Sequence, residues 1–404
     1  MGRARPGASL AAMMNTETLA ERAIEELARL VAFDTTSRGS NLDLIAYVEE
    51  RLAGLGVAST RIGNAEGTKA NLLASIGPAV PGGVVLSGHT DVVPVDGQAW
   101  TSDPWVLTAK GDRLYGRGTC DMKGFLALAL AAAPDFAGGA IRRPVHLAFS
   151  YDEEIGCLGA PDLIAEIAAR APRPSAVIVG EPTGMEAVSA HKGIAAFRVV
   201  VTGKEAHSSQ THLGVSANMA AIRLMASLSA LADRLEREAD PASPFTPKWP
   251  TLTVGLVNGG TALNILAREC VFVFDLRTPP GMDPDALLEG FFAEAAAMDA
   301  AMKARFEGTG VVVERRSRTP ALAIEPDGAA EAFARRLAGD NGPVRAVPYA
   351  AEAGQFQQAG YSVVICGPGS IDQAHQPDEY VEISQMQRGA AFMARLIEAL
   401  SAEG

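Results

Sequence analysis

His89 and Asp91 stand two apart in SGHTDVVP, and residues so spaced in an extended segment point the same way. An imidazole and a carboxylate placed like this can serve as a metal ligand and the group that orients it. The simpler alternative is a turn after a strand, with Asp91 capping backbone amides. Asp121, in YGRGTCDMKG, directly precedes a strongly helical run. It reads either as an N-cap or as a carboxylate whose two oxygens bridge neighbouring cations.

Glu153 and Glu154 are adjacent in FSYDEEIGCLG, behind Asp152. Three consecutive acids usually form a solvated loop, but these follow an apolar strand and precede Gly156. Crowded carboxylates resist full ionisation unless a cation relieves the repulsion. One glutamate can then bind metal while its neighbour stays free as a general base. Glu181, in VGEPTG, ends another apolar run, and His375 lies among turn residues in GPGSIDQAHQPDEY. Either is an ordinary loop residue when taken singly. As a set, two histidines and three carboxylates make a nitrogen and oxygen site suited to zinc or cobalt rather than calcium. Two such ions can activate a shared water, with Asp121 as the shared ligand. Spacing does not say which remaining ligand serves which ion.

Outside this set, His207 in GKEAHSS reads as a surface histidine or as an oxyanion donor. Arg277, in FVFDLR, can pair with a structural acid or clamp a substrate carboxylate. Asn264 in TALN and Gly354 in AEAGQ read on their own as turn residues. His146, His191 and His212 have no supporting context and read as structural. The sequence has no HExxH, GxSxG, Walker loop or GxGxxG. SAHK at 189–192 matches S-x-x-K without its partner motifs.

The elements that must position these groups follow from periodicity. Residues 18–31 and 41–55 have helical spacing. Short apolar runs at 84–86, 145–149, 176–179 and 363–365 alternate with helical stretches, the pattern of buried strands in an α/β sheet. Three of those runs lead directly into candidate site residues, and ligands of open α/β sheets bind outside the carboxyl ends of the strands. Between about 190 and 318 the order is strand 194–201, helix 215–235, strands 251–257 and 270–277, helix 284–306 and strand 311–315. That is a βαββαβ arrangement, inserted into the larger unit, with Pro241, Pro244, Pro247 and Pro250 marking a loop inside it. The expected domains are 15–189 with 319–404 for the metal site, and 190–318 for the insertion.

A chain of 404 residues suits two domains better than one. A net charge of -12 leaves no basic stripe for nucleic acid. Cys120, Cys157, Cys270 and Cys366 form no CxxC pair, which disfavours a thiolate zinc site or a disulfide framework and fits a cytoplasmic protein. No segment reads as a membrane span or a secretory signal. The first residues, MGRARPGASLAAMM, read as an unstructured tail or a mis-assigned start.

Together SGHTDVVP, GRGTCDMKG, YDEEIG, GEPTG, GKEAHSS and AHQPDE resemble the di-zinc aminoacylase family, over nearly the whole chain. The resemblance implies a mixed-sheet, three-layer α/β catalytic domain with an inserted ferredoxin-like lid and dimerisation domain. It implies two divalent ions, zinc or cobalt in its place, held by His89, Asp121, Glu154, Glu181 and His375. His89 and Glu181 would serve one ion, His375 and Glu154 the other. Asp91 matches the residue that orients the first histidine and Glu153 the general base. His207 matches a lid residue that reaches a neighbouring subunit's active site in a homodimer, and Asn264 and Arg277 match substrate-holding positions. YAAEAGQFQ and CGPGSIDQAHQPDEY resemble the branch that deacetylates N-acetyl-L-ornithine in arginine biosynthesis, and Gly354 lies within the first of them. The implied substrate is a small N-acyl amino acid. Desuccinylase, dipeptidase or carboxypeptidase activity is the alternative within the family, and a non-catalytic binding scaffold is the alternative outside it.

Overall fold

The computed structural model describes residues 7–139 and 141–402, with side chains from residue 16 onward. The chain divides into two compact units, one of residues 1–189, 324–345 and 351–404, the other of 190–323 and 346–350.

In the first unit, helices α1 (Gly7–Val31) and α2 (Leu42–Ala53) precede strands β1 (Ser59–Gly63), β2 (Ala70–Ile76), β3 (Val84–His89), β4 (Thr108–Lys110) and β5 (Arg113–Tyr115). Helix α3 (Lys123–Ala137), β6 (Val145–Ser150), α4 (Ala160–Arg170) and β7 (Ala176–Pro182) follow. Of the segment read as an N-terminal tail, residues 1–6 lie outside the described residues, whereas the Ala-rich stretch from Gly7 is already helical, as its composition favours.

The second unit begins with β8 (Ala190–His191) and β9 (Gly193–Thr202), then α5 (Ala217–Arg237), β10 (Thr251–Gly259) and β11 (Glu269–Thr278). It continues with α6 (Pro284–Leu287), α7 (Glu289–Arg305) and β12 (Gly310–Thr319). The single helix expected over 284–306 is therefore two. Leu288, fully buried, leaves helical geometry between them at φ -93° and ψ 1°. After β12 come α8 (Ala329–Ala338), β13 (Ala346–Val347), α9 (Ala353–Gln358), β14 (Val363–Gly367), β15 (Tyr380–Glu382) and α10 (Ile383–Ser401). Of these, β13 belongs to the second unit, paired in parallel with β8.

The main sheet of the first unit has the order β1-β2-β6-β3-β7-β14. Strands β6, β3, β7 and β14 run parallel, while β2 is antiparallel to β6 and β1 to β2. Alternate residues such as Leu72, Ala74, Leu86, Leu147 and Phe149 share one core with α1, α2, α3, α8 and α10. The intervening Leu73, Val85, Ala148 and Val177 are buried too, on the side where α4 and α9 pack against the sheet. With both faces covered, the strands read as continuous apolar runs. Helix α3 is buried from Lys123 through Ala133, as a helix apolar on all sides must be.

The second unit holds a four-stranded antiparallel sheet in the order β10-β11-β9-β12. Strand β9 alternates buried and half-buried residues, the mark of a sheet with one covered face. Phe197, Phe272, Phe274 and Phe291 fill the layer between this sheet and its helices.

Candidate metal centre

The parallel pairing delivers the site. His89 is the last residue of β3 and lies opposite Ser150, the last residue of β6. Ser87 lies opposite Val179 on β7, which brings Glu181 level with His89. Glu153 and Glu154 follow β6, Asp121 precedes α3, and His375 stands on the loop between β14 and β15. Residues from five separate segments therefore meet at one edge of the sheet.

Asp121 sits at the centre. Its Oδ1 is 3.0 Å from His89 Nε2 and its Oδ2 is 3.2 Å from His375 Nε2. His375 Nε2 is also 3.0 Å from Glu154 Oε2, and His89 Nε2 is 3.8 Å from Glu181 Oε1. Asp121 is not an N-cap, since that position belongs to Met122, which makes no side-chain cap bond. Two groupings of donor atoms are close enough to hold a cation, His89 with Glu153 and Glu181, and His89 with Asp121 and Glu154.

His89 Nδ1 lies 2.8 Å from the backbone carbonyl of Asp91. A carbonyl only accepts, so Nδ1 carries a proton and Nε2 is turned toward the carboxylates. The Asp91 carboxylate is farther from that nitrogen, at 3.6 Å. Its oxygens instead accept from the amides of Glu153 (3.1 Å) and Glu154 (3.3 Å) and from Ser37 Oγ (2.7 Å). The two readings of Asp91 thus divide between its atoms: the carbonyl orients the imidazole and the carboxylate caps the turn bearing both glutamates.

The electrostatics are those of a site built for cations. Burial, then the charges of Asp121 and Glu153, pushes the Glu181 carboxyl well above its ordinary range. Burial and Asp121 raise Glu154 to about 7. Burial raises Glu153 to about 8, against the opposing pull of His89 and with help from Glu154. Burial works to raise Asp121 as well, but hydrogen bonds from His375 and His89 hold it below the usual carboxylate range. Hydrogen bonds to Asp121 and Glu154 push His375 up to about 11. Buried carboxylates at this density repel one another, and a divalent cation relieves that repulsion. Glu154 Oε1 and Glu181 Oε1 are buried with no hydrogen-bond partner among the described residues. Buried polar oxygens are rarely left so, and a cation at each would satisfy them. The donor set fits zinc or a similar ion.

The remaining sequence candidates fall elsewhere. Gly354 is not in a turn but inside α9, buried. Its neighbour Glu352 is buried and accepts from Ser87 Oγ (2.6 Å) and Ser150 Oγ (2.7 Å), the hydroxyls at the ends of β3 and β6. His207, Asn264 and Arg277 belong to the second unit. There the amide of Ser208 donates to the Asn264 carbonyl at 2.9 Å, and His207 bridges to Ile265. The amide of Ser209 donates to His207 Nδ1 at 3.2 Å, so in the neutral ring the proton sits on Nε2. Arg277 is half-buried on β11, 3.6 Å from Asp275. His146 and His191 are buried in the way structural histidines are. Sequence reasoning missed Glu352, Glu379, Arg117 and Cys157. The thiol of Cys157 donates to Glu153 Oε1 at 3.2 Å.

Residues 85–399 match the family described as peptidase family M20/M25/M40. The chain belongs to that family. Two relatives are similar over most of its length. The acetylornithine deacetylase of Proteus mirabilis is 37% identical over 334 residues, 82% of each chain. That of Myxococcus xanthus is 37% identical over 379 residues, 92% of this chain and 95% of the relative. Among solved structures, human carnosine dipeptidase 1 superposes with a TM-score of 0.77 at 18% identity, covering 96% of this chain and 99% of that one. Bacillus subtilis YXEP protein, a dinuclear metal binding peptidase of the M20 family, gives 0.65 at 15% identity over 95% and 99%. At these identities the superpositions speak for the shared α/β fold. Among the described residues no helix is long and apolar enough to cross a membrane.

Proposed function

We propose that this hydrolase removes the acetyl group from N-acetyl-L-ornithine, giving L-ornithine and acetate, as a step of arginine biosynthesis in the cytoplasm. The observation that carries the reading is Asp121, whose two carboxylate oxygens face two different histidines. One carboxylate shared in this way is what a pair of cations requires. The names of the relatives at 37% identity support the choice of substrate.

His89 and Glu181 would hold one ion, His375 and Glu154 the other, with Asp121 between them. When bound, two zinc ions, or cobalt in their place, would polarise the amide carbonyl and acidify a water. Glu153 takes the proton from the water whose oxygen bonds to the amide carbon, and returns it to the nitrogen as the C–N bond breaks. Burial beside Glu154 and Asp121 raises its carboxyl above the ordinary range, and bound cations would draw it back toward the charged form that accepts a proton. The Cys157 thiol at 3.2 Å holds the carboxylate in place. The partner's His207 would donate a hydrogen bond from its Nε2–H to the oxyanion. Arg277, Asn264 and Gly354 would contact the substrate, and the lid of residues 190–318 would also join two copies in a homodimer.

The test is a panel of N-acetyl-L-ornithine, N-succinyl-diaminopimelate and a dipeptide, each run with zinc and with cobalt. The acetyl substrate is expected to lead in kcat/KM by at least about tenfold, within the discrimination that a few pocket contacts provide. Glu153→Ala is expected to lower kcat by roughly 10²–10⁴ with metal content unchanged. Preference for another substrate contradicts the acetylornithine assignment, and a fully active Glu153→Ala contradicts the mechanism.

A further inference from the structure

Beside the metal centre lies a buried ion pair that supplies none of the candidate ligands. Arg117 and Glu379 are 0% and 1% exposed, with Nη1 2.6 Å from Oε2. Burying such a pair costs several kcal/mol per ion, and apolar residues of similar volume often serve stability as well. Stability alone therefore does not account for it. Its other contacts do. Glu379 Oε1 accepts from the backbone amides of Cys120 (2.9 Å) and Asp121 (3.1 Å). On the far side, Arg117 Nη2 donates to Gln98 Oε1 at 2.5 Å, and Gln98 Nε2 donates to the carbonyl of His375 at 3.0 Å. Trp100 Nε1 also donates to that Gln98 oxygen at 3.0 Å, and its ring lies 5.0 Å from the guanidinium. Arg117 Nη1 is 3.4 Å from the carbonyl of Gln376.

The result is an unbroken chain of hydrogen bonds from the amide of Asp121 to the peptide group of His375. His375 needs such support. It stands on an exposed loop with φ 63°, and its side chain is 51% exposed. Turn bonds at Gln373 and Ala374 shape its segment, and the bond from Gln98 ties the His375 peptide itself to the rest of the site.

We infer that Arg117 and Glu379 are a positioning pair that sets the spacing of Asp121 and His375, with Gln98 relaying that constraint to the histidine loop. The inference rests on the metal-binding reading above. A planar guanidinium is suited to the task because its Nη1 and Nη2 hold Glu379 and Gln98 in one plane, which a lysine ammonium cannot do.

The experiment is calorimetric titration of metal-free protein with zinc, for the wild type, Gln98→Leu and Arg117→Lys, together with the melting temperature of each metal-free protein. The wild type is expected to take up two ions. Gln98→Leu is expected to bind the ion served by His375 about 10–100-fold more weakly, the usual effect of losing groups behind the ligands, and the other normally, while Arg117→Lys, which also loosens Asp121, is expected to weaken both. Gln98→Leu leaves the buried pair intact, so it carries the test if Arg117→Lys does not fold. Wild-type affinity for both ions in folded Gln98→Leu overturns the inference, as does an equal loss at both sites in that variant. A wild type that takes up no pair of ions overturns the metal-centre reading itself, and the inference with it.

Discussion

At the scale of single residues, the site is assembled by groups whose partners are remote in sequence. Those the sequence signalled, His89, Glu153, Glu154 and Glu181, stand at or just beyond the ends of apolar strands, where an acid or imidazole is conspicuous. Glu352 and Glu379 gave no such signal. Their meaning comes from Ser87, Ser150, Cys120 and Asp121, which lie 202–265 residues away in the chain. Periodicity carries no information about pairings that distant. The role of the Asp91 carboxylate was legible only as two alternatives, because backbone and side-chain atoms of one residue do separate work. His146 allows a prediction free of the metal centre. It is fully buried on β6, with Nδ1 2.7 Å from Ser75 Oγ and Nε2 without a described partner. Burial lowers its pKa to about 4. The unfolded chain then binds more protons than the folded one between about pH 6.5 and 4. Stability from this residue is complete above 6.5 and is lost as pH falls through that window, by at most about 3 kcal/mol. Urea titrations across the range should show that component in the wild type and not in His146→Gln. An unchanged pH slope in the variant would contradict it.

At the scale of elements, the two strands that end in His89 and Glu181 share a device. The residue before His89 is Gly88 and the residue before Glu181 is Gly180, and helix α3 packs against both. A Cβ at Gly180 would lie 2.0 Å from the Phe125 ring, and one at Gly88 would lie 2.5 Å from Met122 Cε. Close approach of helix to sheet sets the height at which the ligands emerge. Gly180→Ala is therefore expected to cost about 1–3 kcal/mol, the usual penalty of overpacking, and to lower the affinity for metal. Chemical denaturation and zinc titration would check both; a variant as stable as the wild type argues against tight packing here. Element by element, the central parallel strands and the βαββαβ order were legible, because continuous apolar runs and alternation are strong signals. Strands β1, β2 and β5 were not read. Strand β1 is an edge strand with no fully buried residue and β5 is only three residues long, and β2 resembles a helical segment as much as a strand. The break at Leu288 was invisible because apolar spacing continues through it.

At the scale of the molecule, strand β10 is the edge of its sheet, bonded only to β11. Leu256 and Val257 on it are 60% and 52% exposed, and Met219 and Ile222 on the adjoining α5 are 57% and 51% exposed. A long apolar edge left open invites pairing with another chain. Two copies meeting edge to edge would cover it through an isologous interface. Sedimentation at micromolar concentration is expected to give a dimer for the wild type and a monomer for Leu256→Lys with Val257→Lys. A monomeric wild type would remove the proposed dimer.

The central claim is that His89, Asp121, Glu154, Glu181 and His375 grip two divalent ions. Anomalous diffraction from crystals grown with zinc measures this directly. Two peaks about 3.5–4 Å apart, with the Asp121 carboxylate between them, are expected from the spacing typical of paired-metal hydrolases. A single peak, or ions bound away from Asp121, would contradict the claim.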